Sequence, residues 1–255
     1  MLDFCFCAHS FFCRTYIETG VVHMRKRQAW WLLCYMLIIF LTLVGIWGGE
    51  RAASAFQDRL PLSRAHTLII DAGHGGEDGG ATSCTGRLES EYNLAIALRL
   101  EEMMQFLGYQ TMMIRRTDTA VYTKGETIAQ KKVDDLKNRV KTVNDMPGAV
   151  LLSIHQNYFP QAQYNGAQVF YANSTESKAL ADAIQTAFAT TLNPGSRRTT
   201  KAGKGIYLLE KCEKIGVLVE CGFLSNIQEE QKLSDPSYQK QVAAVIAAAV
   251  STEFA

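Results

Sequence analysis

The sequence predicts an α/β fold: a single three-layer domain with a central, twisted, mostly parallel or mixed sheet of about six strands flanked by helices. Two observations support this fold class. Short apolar runs alternate along the chain with segments of helical periodicity, as in layered α/β proteins. Several of the runs are continuously apolar, which is typical of strands that are covered on both faces. The hydrophobic content of 47% is sufficient for a substantial core and argues against disorder.

The elements follow one another from residue 66 to residue 255. The apolar runs predicted as strands are residues 67–70, 110–115, 149–154, 167–171, 205–209 and 216–220. The predicted helices are residues 90–107, 133–145, 176–192 and 237–250. In the third of these helices, Leu180, Ile184 and Phe188 recur at four-residue intervals on one face. We interpret residues 66–255 as one domain without internal repeats.

The N-terminal part of the chain predicts export. Residues 28–49 carry no charge and follow the basic residues 25–27. An apolar stretch of this length is about what a membrane-spanning helix needs, and its basic flank would stay in the cytoplasm. Residues 53–55 (Ala-Ser-Ala) have the form of a signal-peptide cleavage site. Residues 24–49 are therefore interpreted as either a cleaved signal peptide or a membrane anchor.

Two further segments flank this export signal. Met24 and the following basic residues form an ordinary start of an export signal, so we interpret residues 1–23 as an upstream extension and Met24 as the true initiator. Residues 50–65 are predicted to be a linker. This organisation places the domain outside the cytoplasm.

Composition excludes some functional classes. The formal net charge of +1 provides no basic excess for nucleic-acid binding. The cysteines of the exported part are Cys84, Cys212 and Cys221. Their odd number and the lack of a Cys-x-x-Cys pair support neither a disulfide framework nor a cysteine-based zinc finger. A disulfide among them stays open.

A histidine lies within the glycine-rich run IIDAGHGGEDGG at residues 69–80. A dinucleotide fingerprint would need glycine at position 78, which is aspartate, and a P-loop would need a Gly-Lys pair, which the run lacks. The acidic Glu77 and Asp78 would also repel a phosphate. His74 follows an apolar strand at its carboxyl end, where open α/β sheets bind ligands. A metal site and a purely structural turn remain as interpretations; a lone histidine in a turn is more often structural, unless other ligands occur at comparable positions.

Two further predicted strands end in a group that can bind a metal or a proton. His155 follows the run at residues 149–154, and Glu220 ends the run at residues 216–220. A carboxylate at the end of a core strand is costly to bury unless it has a partner or a task. Two histidines and a carboxylate with an open fourth position form a known catalytic zinc set.

Five motifs occur in order along the domain: DAGHGGEDGGA, ESEYNLAIAL, LLSIHQN, GAQVFY and VLVECGFLSN. Together they resemble the zinc-dependent N-acetylmuramoyl-L-alanine amidases of the family-3 type, which are peptidoglycan hydrolases. The resemblance extends over about residues 67–250. It implies hydrolysis of the amide bond between N-acetylmuramic acid and the L-alanine of the stem peptide, by a zinc-activated water with a glutamate as general base.

The resemblance also implies a role for individual residues. The protein ligands of one Zn²⁺ ion would be His74, Glu89 and His155. In the family the glutamate ligand precedes a leucine by five residues, and Leu94 fixes that register on Glu89 rather than on Glu91. Glu220 would be the catalytic general base.

Other side chains near the motifs have less specific expectations. One of three acidic residues could orient the His74 ring: Asp71, Glu77 or Asp78. Arg139 and Asn144 are expected to be structural, through salt bridging or capping. Tyr158 and Phe159 are equally compatible with the substrate cleft and with an ordinary surface loop.

The arrangement of the whole chain is similar to amidases of spore-forming bacteria that act on cortex peptidoglycan and help to form muramic δ-lactam. The expected partner is a peptidoglycan strand; the membrane is a partner if the N-terminal segment is uncleaved, and an accessory protein stays open. The expected location is the outer face of the cytoplasmic membrane, the cell wall or the spore intermembrane space. Alternatives are a vegetative cell-wall amidase, a zinc exopeptidase and an inactive wall-binding protein.

Overall fold

The computed structural model describes residue 31, residues 35–42 and residues 66–254. The chain divides into two units, Met1–Arg59 and Leu60–Ala255. In the first unit, residues 35–42 are helical and mostly exposed. No helix within the described ranges has both the length and the apolar character needed to cross a bilayer. The predicted upstream extension, most of the predicted export segment and the predicted linker lie outside the described residues.

The second unit contains alternating strands and helices. Its strands are β1 (Thr67–Ala72), β2 (Gln110–Met113), β3 (Ala149–Asn157), β4 (Gln168–Tyr171), β5 (Lys201–Ala202) and β6 (Ile215–Phe223). Its helices are α1 (Glu89–Phe106), α2 (Ile128–Asp145), α3 (Thr175–Thr190), α4 (Tyr207–Lys211), α5 (Ile227–Ser234) and α6 (Pro236–Glu253). The α/β fold class predicted from the sequence is confirmed.

The strands form one six-stranded mixed sheet in the order β2-β1-β3-β6-β4-β5. The first four strands in this order, β2, β1, β3 and β6, are parallel to one another. Strand β4 runs antiparallel to β6, and β5 is parallel to β4. From β1 the chain continues to β2 on one side, and β3 then pairs with the other side of β1. The carboxyl ends of β1 and β3 therefore lie at a topological switch point, where open α/β sheets bind their ligands.

Helices cover both faces of the sheet and make three layers. Leu68 and Ile70 of β1 point to one face and pack in a core with residues of α1, α3 and α6. Ile69 points to the opposite face and packs with residues of α2 and α4. Because successive side chains of a strand alternate between faces, a strand with helices on both sides must be apolar throughout. This burial explains the continuous apolar runs.

The prediction of a strand at residues 205–209 is wrong. Helix α4 begins at Tyr207, and Leu208 and Leu209 are buried against the sheet. A short apolar run buries equally well as a strand or as a single helical turn, so its periodicity does not distinguish the two. The sixth strand is instead β5, two exposed residues in a basic stretch that gives no apolar signal.

The predicted helices are present, with small shifts at their ends. The largest shift is at α2, which starts at Ile128 instead of residue 133. Thr127 caps it: its side chain accepts a hydrogen bond from the Gln130 N–H, and the Gln130 side chain accepts one from the Thr127 N–H. Helix α5, which the sequence analysis did not predict, is capped by the side chain of Asn226.

A buried ion pair joins α2 to the sheet. Arg139 of α2 pairs with Asp71 of β1, and the two side chains are 3% and 1% exposed. Asp71 also accepts a hydrogen bond of 2.7 Å from Ser153 Oγ on β3. Burial would raise the pKa of Asp71, but the Arg139 charge and the Ser153 hydroxyl hold that pKa below its usual value. The structural role expected for Arg139 is confirmed.

We expect Arg139→Met to lower the free energy of unfolding by about 3–5 kcal/mol, because it leaves the buried Asp71 carboxylate without its countercharge. Urea denaturation followed by circular dichroism measures this change. Lys141→Met is the matched control on the same helix, since Lys141 forms an exposed pair with Asp145 and should change stability little. Equal unfolding midpoints for the two variants would contradict the assignment.

Candidate metal centre and active site

The glycine-rich turn that follows β1 is held by backbone hydrogen bonds and two buried arginines. Arg115 donates from Nε to the Ala72 carbonyl (2.8 Å) and from Nη2 to the Gly73 carbonyl (3.0 Å). Arg139 donates from Nη2 to the carbonyl of His74 (2.8 Å). His74 has a φ of 60°, a left-handed backbone conformation that is unfavourable for any residue with a Cβ atom. The two guanidinium groups therefore fix a turn that would not persist alone.

Glycines in this turn make room for the side chains of the candidate ligands. A Cβ on Gly73 would lie 2.1 Å from His155 Nε2. A Cβ on Gly80 would lie 2.7 Å from Glu89 Oε2 and 2.7 Å from His74 Cδ2. Either position with a side chain would displace a ligand group. The glycines thus clear space for the ligating side chains.

The structure brings together His74, Glu89 and His155, and their ligand atoms all lie within 4.8 Å of one another. Glu89 Oε2 is 3.2 Å from His74 Nε2, and Glu89 Oε1 is 2.9 Å from His155 Nδ1. Glu91 is exposed at the surface and pairs with Arg87 instead. Two imidazole nitrogens and a carboxylate oxygen at this spacing are a donor set that can hold a metal ion, and a suitable one for zinc.

Neighbouring polar groups orient these three side chains. Asp78 Oδ2 lies 2.9 Å from His74 Nδ1, which leaves Nε2 of that ring facing Glu89. Asn93 donates to Glu89 Oε1 and to the Gly73 carbonyl, both at 3.2 Å. Of the acidic residues considered as partners of His74, Asp78 makes the contact. Asp71 binds Arg139, and Glu77 binds Lys131.

The electrostatics of the group favour an ionised carboxylate. Burial would raise the pKa of Glu89, but the His155 and His74 rings hold that pKa well below its usual range. Burial would lower the pKa of His74, but Asp78 and Glu89 outweigh it and raise that pKa to about 9. The site thus has a negative carboxylate between two imidazole rings, and a divalent cation would compete with the proton on His74 for the same place.

Glu220 lies beside the ligand group on the adjacent strand. It pairs in register with His155, so the two side chains share one face of the sheet. Its Oε2 atom is buried and has no hydrogen-bond partner among the residues that the structure describes. Burial raises the pKa of Glu220 to about 7. A carboxyl with a pKa near neutrality can both accept and donate a proton in catalysis.

The two histidines and Glu220 border a cleft of about 440 Å³. His74, His155 and Glu220 contribute to its floor, and its walls come from α2, with Lys132 and Leu136, and from residues 205–208. A larger open groove of about 660 Å³ lies on another face of α2. None of the three candidate metal ligands, His74, Glu89 and His155, borders it. The smaller cleft is therefore the candidate active site.

Sequence reasoning missed two residues that shape this site. Arg115 is the last residue of the predicted strand at residues 110–115, where a charged residue indicates either the surface or a buried partner. The structure shows a buried partner, since Arg115 is 3% exposed. Asn93 is fully buried on α1, four residues after Glu89. That spacing places both on one helix face and could have indicated the contact.

Comparisons with known proteins show the family to which the chain belongs. The family described as N-acetylmuramoyl-L-alanine amidase matches residues 68–252. The germination-specific N-acetylmuramoyl-L-alanine amidase of Bacillus subtilis strain 168 is 35% identical over 228 residues, which are 88% of this chain and 93% of that protein. The structure of the CwlD amidase from Clostridioides difficile in complex with the GerS lipoprotein has a TM-score of 0.71 at 36% identity, over 73% of this chain and 97% of that one.

A second solved structure, an N-acetylmuramoyl-L-alanine amidase from Clostridium difficile 630, has a TM-score of 0.63 at 32% identity and covers 74% of this chain and 96% of that chain. The family match, the relatives and the fold all point to the same enzyme class, and it is the class whose motifs the sequence carries. The chain belongs to the N-acetylmuramoyl-L-alanine amidase family and is a peptidoglycan amidase.

Proposed function

We propose that the enzyme hydrolyses the bond between N-acetylmuramic acid and L-alanine with one Zn²⁺ ion held by His74, Glu89 and His155, and with Glu220 as the proton carrier. The observation that carries this proposal is the position of Glu220. Its carboxyl group shares a sheet face with His155, borders the cleft and has an unpartnered oxygen among the described residues. A buried carboxyl oxygen without a partner is costly unless it has a task.

An amide is a weak electrophile with a poor leaving group, so both the attack by water and the departure of the amine need catalysis. A zinc ion bound by this donor set would supply a Lewis acid and a water of lowered pKa. Glu220 takes a proton from the attacking water and passes it to the alanine nitrogen as the bond breaks. Asp78 and Asn93 keep His74 and Glu89 in place through their hydrogen bonds.

The zinc exopeptidase and the inactive wall-binding protein are less well supported. His74, Glu89 and His155 are the one metal-competent group in the ranges that the structure describes, whereas exopeptidases often use two metals. All residues that the resemblance assigns to metal binding and catalysis are present in the chain, which argues for an active enzyme.

We further propose a role in spore cortex maturation, with formation of muramic δ-lactam. The similarity to a germination-specific amidase supports this role over vegetative wall turnover. The similarity to an amidase in complex with a lipoprotein supports an accessory protein as a partner. The uncharged run at residues 28–49 supports export through a signal peptide or an anchor.

We expect Glu89→Gln to weaken zinc binding by more than about 100-fold, because loss of a residue that only supports a ligand already costs about 10–100-fold. Zinc content after dialysis against a weak chelator measures this change. Glu91→Gln is the matched control on the same helix turn and should retain one zinc ion per chain. The ligand assignment would be wrong if the two variants lost zinc equally.

We expect Glu220→Gln to retain zinc and to lose activity by about 10²–10⁴-fold, because the amide cannot carry the proton. Release of peptides with a new N-terminal alanine from purified sacculi measures the activity. Glu213→Gln changes an exposed glutamate just before β6 and should leave the rate unchanged. Substantial turnover by zinc-loaded Glu220→Gln protein would refute the role of Glu220.

We expect spores of a deletion strain to lack muramic δ-lactam, as measured by mass spectrometry of cortex muropeptides. Complementation with the wild-type chain should restore the lactam, and complementation with Glu220→Gln should not. Unchanged cortex together with defective cell separation would contradict the spore role and indicate vegetative wall turnover.

A further inference from the structure

Two exposed aromatic rings, packed beside the buried ring of Phe223, form a surface near the candidate active site that the proposed mechanism does not use. This aromatic platform consists of Phe159, Tyr164 and Phe223. The Phe159 and Tyr164 rings meet edge to face with centroids 4.9 Å apart, and the Tyr164 ring is stacked on Phe223 at 6.3 Å. Phe159 and Tyr164 are 44% and 42% exposed. Exposed aromatic side chains that lie together, rather than singly, mark an interaction site.

The platform is continuous with the catalytic strand end. Phe223 follows Glu220 by three residues on β6, which is at most about 10 Å of strand, and the register with β3 shifts between the two. The guanidinium of Arg198 lies 4.9 Å from the Phe223 ring centroid. Arg198 also donates at 3.5 Å to Gln168, which is the cross-strand partner of Glu220. Arg198 therefore lies between the rings and the strand position of the catalytic carboxyl.

Hydrogen bonds hold the platform in place. The Phe159 N–H donates to Ser225 Oγ (3.2 Å), and Asn226 Nδ2 donates to the Tyr164 carbonyl (3.3 Å). Residues 158–166 are thus tied to the turn between β6 and α5. A surface that is ordered before binding loses less conformational entropy when it binds, which favours a binding role.

A glycan strand matches the chemistry and the position of this surface. The muramic acid that carries the scissile amide is one sugar of a polymer, so neighbouring sugars must extend past the cleft. A pyranose ring has a face of C–H bonds that packs against an aromatic ring. Its hydroxyl and acetamido groups need polar partners, and the Tyr164 hydroxyl and the Arg198 guanidinium offer them.

We propose that the aromatic platform and Arg198 form a glycan subsite, which binds a sugar ring of the same strand whose stem peptide is cleaved beside Glu220. This inference rests on the proposed amidase function and specifies the part of the substrate that this surface recognises. The subsite would make the enzyme prefer long strands over single muropeptides.

The binding test uses the tetramer of β-1,4-linked N-acetylglucosamine, which has the glycan backbone without lactyl groups or peptides. We expect the full chain to bind it, and Phe159→Ala/Tyr164→Ala to bind about tenfold more weakly, by isothermal titration calorimetry. Phe159→Tyr retains both rings and the Tyr164 hydroxyl and should bind like the wild type. Phe106→Ala removes a ring that is 84% exposed on α1 and should also bind normally.

The activity test compares long uncrosslinked strands with a disaccharide muropeptide. We expect Phe159→Ala/Tyr164→Ala to lose about tenfold in kcat/KM on strands, mainly through KM, and to retain its rate on the disaccharide. Equal losses on both substrates, normal activity on both, or failure of the wild type to bind the tetramer would overturn the subsite. Wild-type protein that binds the tetramer but releases no N-terminal alanine would instead contradict the amidase mechanism and not the subsite.

Discussion

The site depends on two buried guanidinium groups that hold the backbone of the glycine-rich turn. Arg115 and Arg139 together bind the carbonyls of residues 72–74, and Arg139 also neutralises Asp71 at the end of β1. A buried carbonyl without a partner costs about 1–3 kcal/mol, and His74 adopts a left-handed φ of 60°. The charge-assisted hydrogen bonds offset both costs. The position of the first histidine therefore depends on residues outside its own strand.

The topology of the sheet explains why the other groups meet at this place. β1 and β3 are adjacent at the switch point, and β6 continues the parallel sheet beside β3. Their carboxyl ends bring His74, His155 and Glu220 to one edge, and the first turn of α1 adds Glu89. Parallel strands alone thus assemble most of the candidate active site. The surroundings then give the two carboxyl groups different pKa values. The His155 and His74 rings hold the pKa of Glu89 well below its usual range, whereas burial raises the pKa of Glu220 to about 7.

Much of this arrangement could be predicted from the sequence, because buried parallel strands leave continuous apolar runs and their ends identify His74, His155 and Glu220. Glu89 gives no such signal, as it lies on a helix, and only the family resemblance selected it over Glu91. The strand predicted at residues 205–209 was wrong because one short apolar run fits either kind of element. The contacts of Arg115 join segments distant in the chain, so local pattern could not predict them.

The proposed mechanism requires that His74, Glu89 and His155 bind one zinc ion next to Glu220. X-ray diffraction from crystals of the zinc-loaded protein, with anomalous data at the zinc edge, tests it most directly. We expect one strong anomalous peak with two histidine nitrogens and one Glu89 oxygen at about 2.0–2.2 Å, and with the Glu220 carboxyl outside the ligand set. A peak at any other group of residues, or Glu220 bound directly in place of Glu89, would contradict it.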